Sequence, residues 1–379
     1  MNNCENGILY NNTCLNNQYG IALRSSNNNT ISNNNCSKNS GGILLWPSNN
    51  NNTISNNTCS NNQAGIILFS SSYNILINNT NNLNSQYGIF LTTSSKSNTL
   101  DKNICSNNLI DGIRFTTSCN GNTLSDNTCN FNRQMGVRII SSINNIINNN
   151  NCSSNSYGSG TSYGIFLSTS SNGNTLRNNT CWNNHNIGIC VRGSSSNTLT
   201  NNTCEENWDG MSIDSATSNG NSLRNNTINS NTHYGIFLAV SNSNTIAWNE
   251  ICNNTNEGIY IMSGSANRIW NNTFINNNGT GSVYNASRIQ VYDDGTNNWW
   301  NSSGTPHGYG NNWSDWRAPD DDWDGIVDNP YNISGSASAK DEYPLTVPGT
   351  PIPEFSEIIV PIVGLLLISL ILGRVRKKP

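Results

Sequence analysis

Glycine followed by an aliphatic residue or methionine recurs along the chain at Gly20, Gly42, Gly65, Gly88, Gly112, Gly136, Gly164, Gly188, Gly210, Gly235 and Gly258. The intervals are 22, 23, 23, 24, 24, 28, 24, 22, 25 and 23 residues. Three positions after each glycine stands another apolar residue, from Leu23 and Leu45 through Phe115 and Ile139 to Leu238 and Ile261. Apolar residues at the first and third positions after Gly are the alternation of a short strand with one buried face. A second apolar column follows Asn-Thr or Asn-Ser: Ile31, Ile54, Leu100, Leu124, Leu176, Leu199, Leu223 and Ile246. No helical period runs through these segments. A repeat of about 23 residues built of short strands predicts a parallel β-solenoid, in which a coil buries its apolar face only by stacking on its neighbours. About eleven coils at ~4.8 Å each make a rod on the order of 50 Å long.

Composition alone leaves two readings. Only 34% of the 379 residues are hydrophobic and 11% charged, while 81 are asparagine. Such a chain is either a disordered polar tract or a repeat fold with Asn-built corners, and the period decides for the repeat. Asn98, Asn122, Asn174, Asn197, Asn221 and Asn244 stand two positions before the buried Leu or Ile. Asn tolerates the left-handed conformations that corners need, and stacked amides bond along the rod. The many Asn-x-Ser/Thr triplets are inflated by this composition, although an exported surface would make some N-glycosylation plausible. A net charge of -4 gives no reason to expect a nucleic-acid partner.

Eight of the twelve cysteines fall in one column: Cys14, Cys36, Cys59, Cys105, Cys129, Cys152, Cys181 and Cys204. Other coils fill that slot with Ile228, Ile251 or Phe274. A slot that accepts Cys, Ile or Phe asks for apolar volume, so the column reads as reduced and buried. Disulfides between adjacent coils and a metal site are the alternatives. Cys190, off the column at the second position after Gly188, is expected to face outward as an exposed thiol.

That second position, on the face away from the core, reads Ile67, Phe90, Arg114, Arg138, Phe166, Phe237 and Tyr260 among its larger members. Exposed rings around two arginines suggest a platform for sugars or another chain. The alternative is that such residues merely stabilise stacked strands. Catalysis needs cooperating carboxylates or a carboxylate with a base. Asp209 and Asp214 are five residues apart on an extended strand, too far to cooperate, and Asp214 shares a register with Arg192. His185, His233 and His307 share no column. A structural or binding role is therefore expected over an enzymatic one.

The chain divides into repeats over 1–282, an aromatic cap over 283–346, a linker over 347–357, an apolar helix over 358–373 and a basic end over 374–379. Five of the ten tryptophans lie between Trp299 and Trp323, as expected of a segment closing the open end of the rod. Within it, Asp320, Asp322, Asp324, the Ile326 carbonyl and Asp328 follow the spacing of a calcium loop, without the Glu that completes an EF-hand. Calcium is the expected cation. The apolar run before Arg374 reads as a membrane anchor with the rod outside. Met1 opens directly in repeat-like sequence, so this start is expected to be internal to a longer protein.

The repeat NTxxxNxCxxNxxGIxL and the closing NNWSDWRAPDDDWDGIVDNPYNISG resemble the NosD-type right-handed parallel β-helix proteins of archaeal cell surfaces. Pro353-Glu354-Phe355 before the apolar run resembles a PEF-CTERM sorting signal, which implies processing by an archaeosortase and attachment to lipid. The resemblance implies a surface-anchored rod that is structural or binds envelope polysaccharide or a surface-layer component. A carbohydrate-active enzyme (lyase, hydrolase or epimerase) is the alternative, and metal handling a further one. The family name implies copper, but four Met, three unaligned His and a buried Cys column make copper unlikely.

Overall fold

The computed structural model describes residues 1–156, 161–302, 309–316 and 319–346. Each coil contributes strands to parallel sheets that run the length of the molecule. Sheet A has twelve strands, from Tyr19–Leu23 to Val291–Asp293, and sheet B twelve, from Ile8–Tyr10 to Arg268–Trp270. Sheet C has six, from Thr180–Trp182 to Asn312–Trp313, and single bridges from Thr13 to Asn151 extend it toward the amino end. The expected solenoid of about eleven coils and about 23 residues per coil is the observed architecture. The Gly strands form sheet A, and the Asn-Thr strands form sheets B and C.

Register explains the columns. Leu68 pairs with Leu91, Leu91 with Phe115 and Phe115 with Ile139, all fully buried. The repeating glycine at the start of the sheet A strands sits where coils touch through their backbones. A Cβ on Gly88 would lie 2.6 Å from the Gly112 carbonyl oxygen and 2.8 Å from the Cys105 Cβ, so any side chain forces the coils apart.

The cysteine column is core. Cys36, Cys59, Cys105, Cys129, Cys152, Cys181 and Cys204 are fully buried, and all twelve cysteines are free thiols. Cys204 pairs in register with Ile228, which pairs with Ile251 and then Phe274. One coil breaks the pattern. Asn81 fills the slot between Cys59 and Cys105, and its buried Oδ1 has no partner. Burying an unpaired amide carbonyl costs about 1–3 kcal/mol. Asn81→Cys is expected to raise the urea midpoint by the equivalent of ~1 kcal/mol, and an unchanged or lower midpoint would refute this reading of the slot.

Asparagine does two jobs at each corner. Asn52, Asn74, Asn98, Asn122 and Asn145 form a buried ladder in which each amide Nδ2 donates to the next Oδ1 at 3.0–3.2 Å. Each Oδ1 also accepts a backbone N–H, as Asn122 Oδ1 does from Asn98 at 2.8 Å. The left-handed strain lies one residue earlier, at Asn51, Tyr73, Ser97, Gly121 and Asn144, with φ between 54 and 65°. The ladder asparagines themselves are thus not the left-handed corner residues expected from the sequence. Asn57, Asn79, Asn103 and Asn127 form a second ladder, and Asn62, Asn84, Asn108 and Asn132 belong to a third.

All three ladders end on a buried carboxylate. Asn298 Nδ2 donates to Asp293, Asn311 Nδ2 to Asp341, and Asn277 passes through Gln290 to Asp315. These three aspartates are at most 4% exposed. The indole of Trp313 stacks on Phe274 at 4.4 Å and on Tyr331 at 3.9 Å, continuing the cysteine column as aromatic rings. Among the described residues no helix is long and apolar enough to cross a membrane. The predicted apolar helix and Pro353-Glu354-Phe355 lie outside the described residues.

Candidate functional site

The outward face of sheet A carries the side chains with chemistry. Its central column runs in unbroken register: Ile67, Phe90, Arg114, Arg138, Phe166, Cys190, Ser212, Phe237, Tyr260 and Tyr292. The predicted stripe is thus one continuous ribbon. Ile67, Phe90, Phe237 and Tyr260 are half-buried, while Phe166 is almost covered.

A second column, at the residue before each glycine, lies beside the first: Tyr87 pairs with Asp111, and Tyr163 with Ile187 and then Asp209. Strict alternation would send these side chains inward. Ring contacts of Tyr87 with Phe90, Tyr163 with Phe166 and Tyr234 with Phe237 instead place several of them alongside the central column, and this displaces one expectation. Cys190 is fully buried, not an exposed thiol, because it packs with Met135, Tyr163, Phe166 and Ile187 in a satellite apolar cluster. Burial pushes its thiol up to about 12. Asp111, which spacing arguments passed over, is fully buried beneath the two arginines of the ribbon.

Asp111 Oδ2 lies 3.5 Å from Arg114 Nη1 and 3.7 Å from Arg138 Nη1, and its Oδ1 accepts the Met135 N–H. Arg114 also donates to the Tyr87 hydroxyl at 3.1 Å, and Arg138 lies over the Phe166 ring. Burial pushes Asp111 up to about 6 against the pull of Arg138, Arg114 and the Met135 N–H. An acid in the slot before glycine, which elsewhere holds mostly Tyr or apolar residues, next to two stacked arginines was the signal available in the sequence.

Toward the carboxyl end the ribbon becomes aromatic. Tyr234 stacks on Tyr260 at 4.5 Å, and Tyr260 on Tyr292 at 4.7 Å. His233 lies between Trp208 and Tyr234. Its Nδ1 is 2.9 Å from Asp209 Oδ1, which also accepts the Tyr234 N–H. Burial raises the Asp209 carboxyl, and burial likewise raises Glu257. The partner of Asp209 is thus His233 of the next coil, and not Asp214, which pairs with Arg192 at 2.7 Å as expected.

In the Asp-rich turn, carboxylate oxygens of Asp320, Asp322 and Asp324 lie within 4.8 Å of one another. Asp328 instead accepts the Asp321 N–H, and the Ile326 N–H goes to Asp324. Among the described residues this is the one group of three His, Cys, Asp or Glu side chains within ligating reach. Its donors are all oxygens, which suit a hard cation and do not fit copper.

The fold and this face define a right-handed parallel β-helix protein: residues 1–152 and 48–181 match the family model "Right handed beta helix region". Residues 157–318 match the model "Periplasmic copper-binding protein (NosD)", so the chain is similar to NosD-type β-helix proteins. No curated protein matches the chain in sequence. Among solved structures, the A-module of mannuronan C-5 epimerase AlgE6 from Azotobacter vinelandii superposes with a TM-score of 0.65 at 14% identity, over 77% of this chain and 88% of that one. The AlgE4 A-module from the same organism gives 0.58 at 13% identity, over 77% and 90%. These likenesses are of fold.

Proposed function

We propose that the chain is an exported β-helix that binds glycan along the outward face of sheet A. The observation that carries this is the run of stacked, partly exposed rings Tyr234, Tyr260 and Tyr292, continuous with Phe237. Rings in register offer flat apolar surfaces with polar hydroxyl edges, a combination suited to pyranose faces. The NosD match and the PEF motif support an exported protein sorted through its C-terminal tail to an archaeal cell surface. The Trp300, Trp313 and Tyr331 layer is read as closing the rod, and the Asp320–Asp324 turn as a calcium site of modest affinity.

The test is incubation with a polysaccharide panel, scoring retention and product release separately. Retention without products is expected, and Tyr260→Ala is expected to weaken it roughly tenfold. Absence of retention on every polymer would sink the binding reading. For calcium, the melting temperature is expected to fall on chelation, and an identical melt with and without chelator would count against the site.

One observation favours a second reading. His233 held by Asp209 has the arrangement of an oriented base, with Glu257 nearby, Trp208 stacked on it and Tyr234 tilted against it. Product release abolished by His233→Gln would make the face an active site on polysaccharide. The structural neighbours are mannuronan C-5 epimerase A-modules, consistent with such chemistry, but the likeness is of fold alone.

A further inference from the structure

Arg114 and Arg138 stand directly opposite each other on adjacent strands. Like charges in that position destabilise a sheet, and one shared carboxylate cannot neutralise two guanidiniums. Asp111 approaches them only at 3.5 and 3.7 Å, and it is fully buried while the arginine side chains remain 20% and 19% exposed. Along the ribbon the neighbours are Phe90 and Phe166, and in the adjoining column Tyr87, Met135 and Tyr163, so among the described residues no second acid stands in register beside the pair. The Nε atoms of both arginines are buried without a hydrogen-bond partner. A guanidinium has five donors in a fixed fork, and few of these are used here. The Tyr87 hydroxyl accepts from Arg114, which leaves its own proton free to donate. Two cations, one acid and a free hydroxyl at an exposed edge make a cluster one negative charge short.

We propose that Arg114 and Arg138 form a receptor for an anionic group, a carboxylate or a sulfate ester, carried by the glycan that lies on the ribbon. The inference rests on the glycan reading and deepens it: the substrate class is an acidic polysaccharide. Arginine forks match carboxylate and sulfate oxygens, and the half-buried Phe90 ring flanks the charge with a surface for an adjoining sugar. Asp111 aligns the two guanidiniums and limits their attraction for the incoming anion. It is a positioning residue.

The experiment compares retention of the full chain on polygalacturonate, dextran sulfate and unmodified dextran, with calorimetric titration of free galacturonate and inorganic sulfate. The two polyanions separate carboxylate from sulfate preference. Arg114→Gln with Arg138→Gln is expected to weaken polyanion binding at least about tenfold, since charge-assisted hydrogen bonds are lost. Retention on neutral dextran should fall far less than retention on either polyanion. Asp111→Asn removes the competing charge and is expected to tighten anion binding several-fold, which simple loss of structure would not do. This second variant decides the matter if the arginine pair proves necessary for folding. Polyanion binding indifferent to both changes overturns the proposal, even if neutral dextran binds and the glycan reading survives. Arginine-dependent binding of the free anions with no polymer retained upholds the anion site and removes the glycan reading.

Discussion

Asp341→Leu is expected to lower stability by roughly 4 kcal/mol, read as a drop in the urea midpoint. The carboxylate is fully buried and ends the amide ladder that runs through Asn272 and Asn311. It accepts the Asn311 N–H at 2.7 Å, the Asn311 amide, the Trp313 indole N–H at 3.0 Å and the Tyr343 N–H. Leucine strands the Asn311 and Tyr343 backbone N–H groups and the Trp313 indole, while the Asn311 side-chain amide keeps the Ile269 and Trp300 carbonyls. Each buried unsatisfied donor costs about 1–3 kcal/mol. Asp341→Asn keeps one acceptor oxygen and is expected to lose less than half as much. A leucine variant as stable as the parent would show that the carboxylate does not terminate the ladder.

The same residue has a pH signature. Burial pushes Asp341 up to about 7 against its N–H donors. A carboxyl in the unfolded chain titrates near ~3.9, so between about 4 and 7 the folded protein holds a proton that the unfolded chain has lost. The contribution to stability is complete below that window and is lost as pH rises through about 7. Asp111, raised to about 6, acts in the same sense. The melting temperature is therefore expected to decline between about pH 4 and 7 and to level off above that, and the decline should be shallower in Asp341→Asn.

Asn79→Leu is the second large effect, and its neighbour is the control. Asn79 Oδ1 accepts from the Asn57 backbone and amide, both at 3.0 Å, while its Nδ2 donates to Ile54 O and Asn103 Oδ1. Leucine removes the acceptor of the Asn57 N–H and of one Asn57 amide proton, and the donor to Ile54 O, inside the rod, for an expected loss on the order of 3–5 kcal/mol. Asn78 is exposed, with a φ of 53°. Asn78→Gly is expected to change stability by less than ~0.5 kcal/mol, since glycine adopts that conformation freely. Equal losses at 78 and 79 would refute the division of labour between the two asparagines.

These adjacent asparagines show where sequence reasoning succeeds. Period and parity identify the sheet A strands, the inward Leu and Ile columns and the cysteine column, because each rests on burial repeated every coil. They also place Ile67, Phe90, Arg114, Arg138, Phe166, Phe237 and Tyr260 in one line. Parity does not report what covers an outward residue, and so Cys190 reads as exposed although Tyr163 and Phe166 bury it. Parity also assigns the residue before each glycine to the interior, which hides Asp111 and separates Asp209 from His233. Asp293, Asp315 and Asp341 were illegible for another reason: they follow the last periodic coil, where no register connects them to the ladders they terminate.

The ladders also give the rod a direction. Every coil offers amide oxygens to the coil before it and amide protons to the coil after it, at three corners. Any interior coil is therefore bonded on both sides by the same chemistry, and the three aspartates are needed only where the series stops. Coil number is thereby a free variable. A repeat can be duplicated or lost without orphaning an amide, and the length of the ribbon can be matched to the length of a polymer while the terminus stays unchanged.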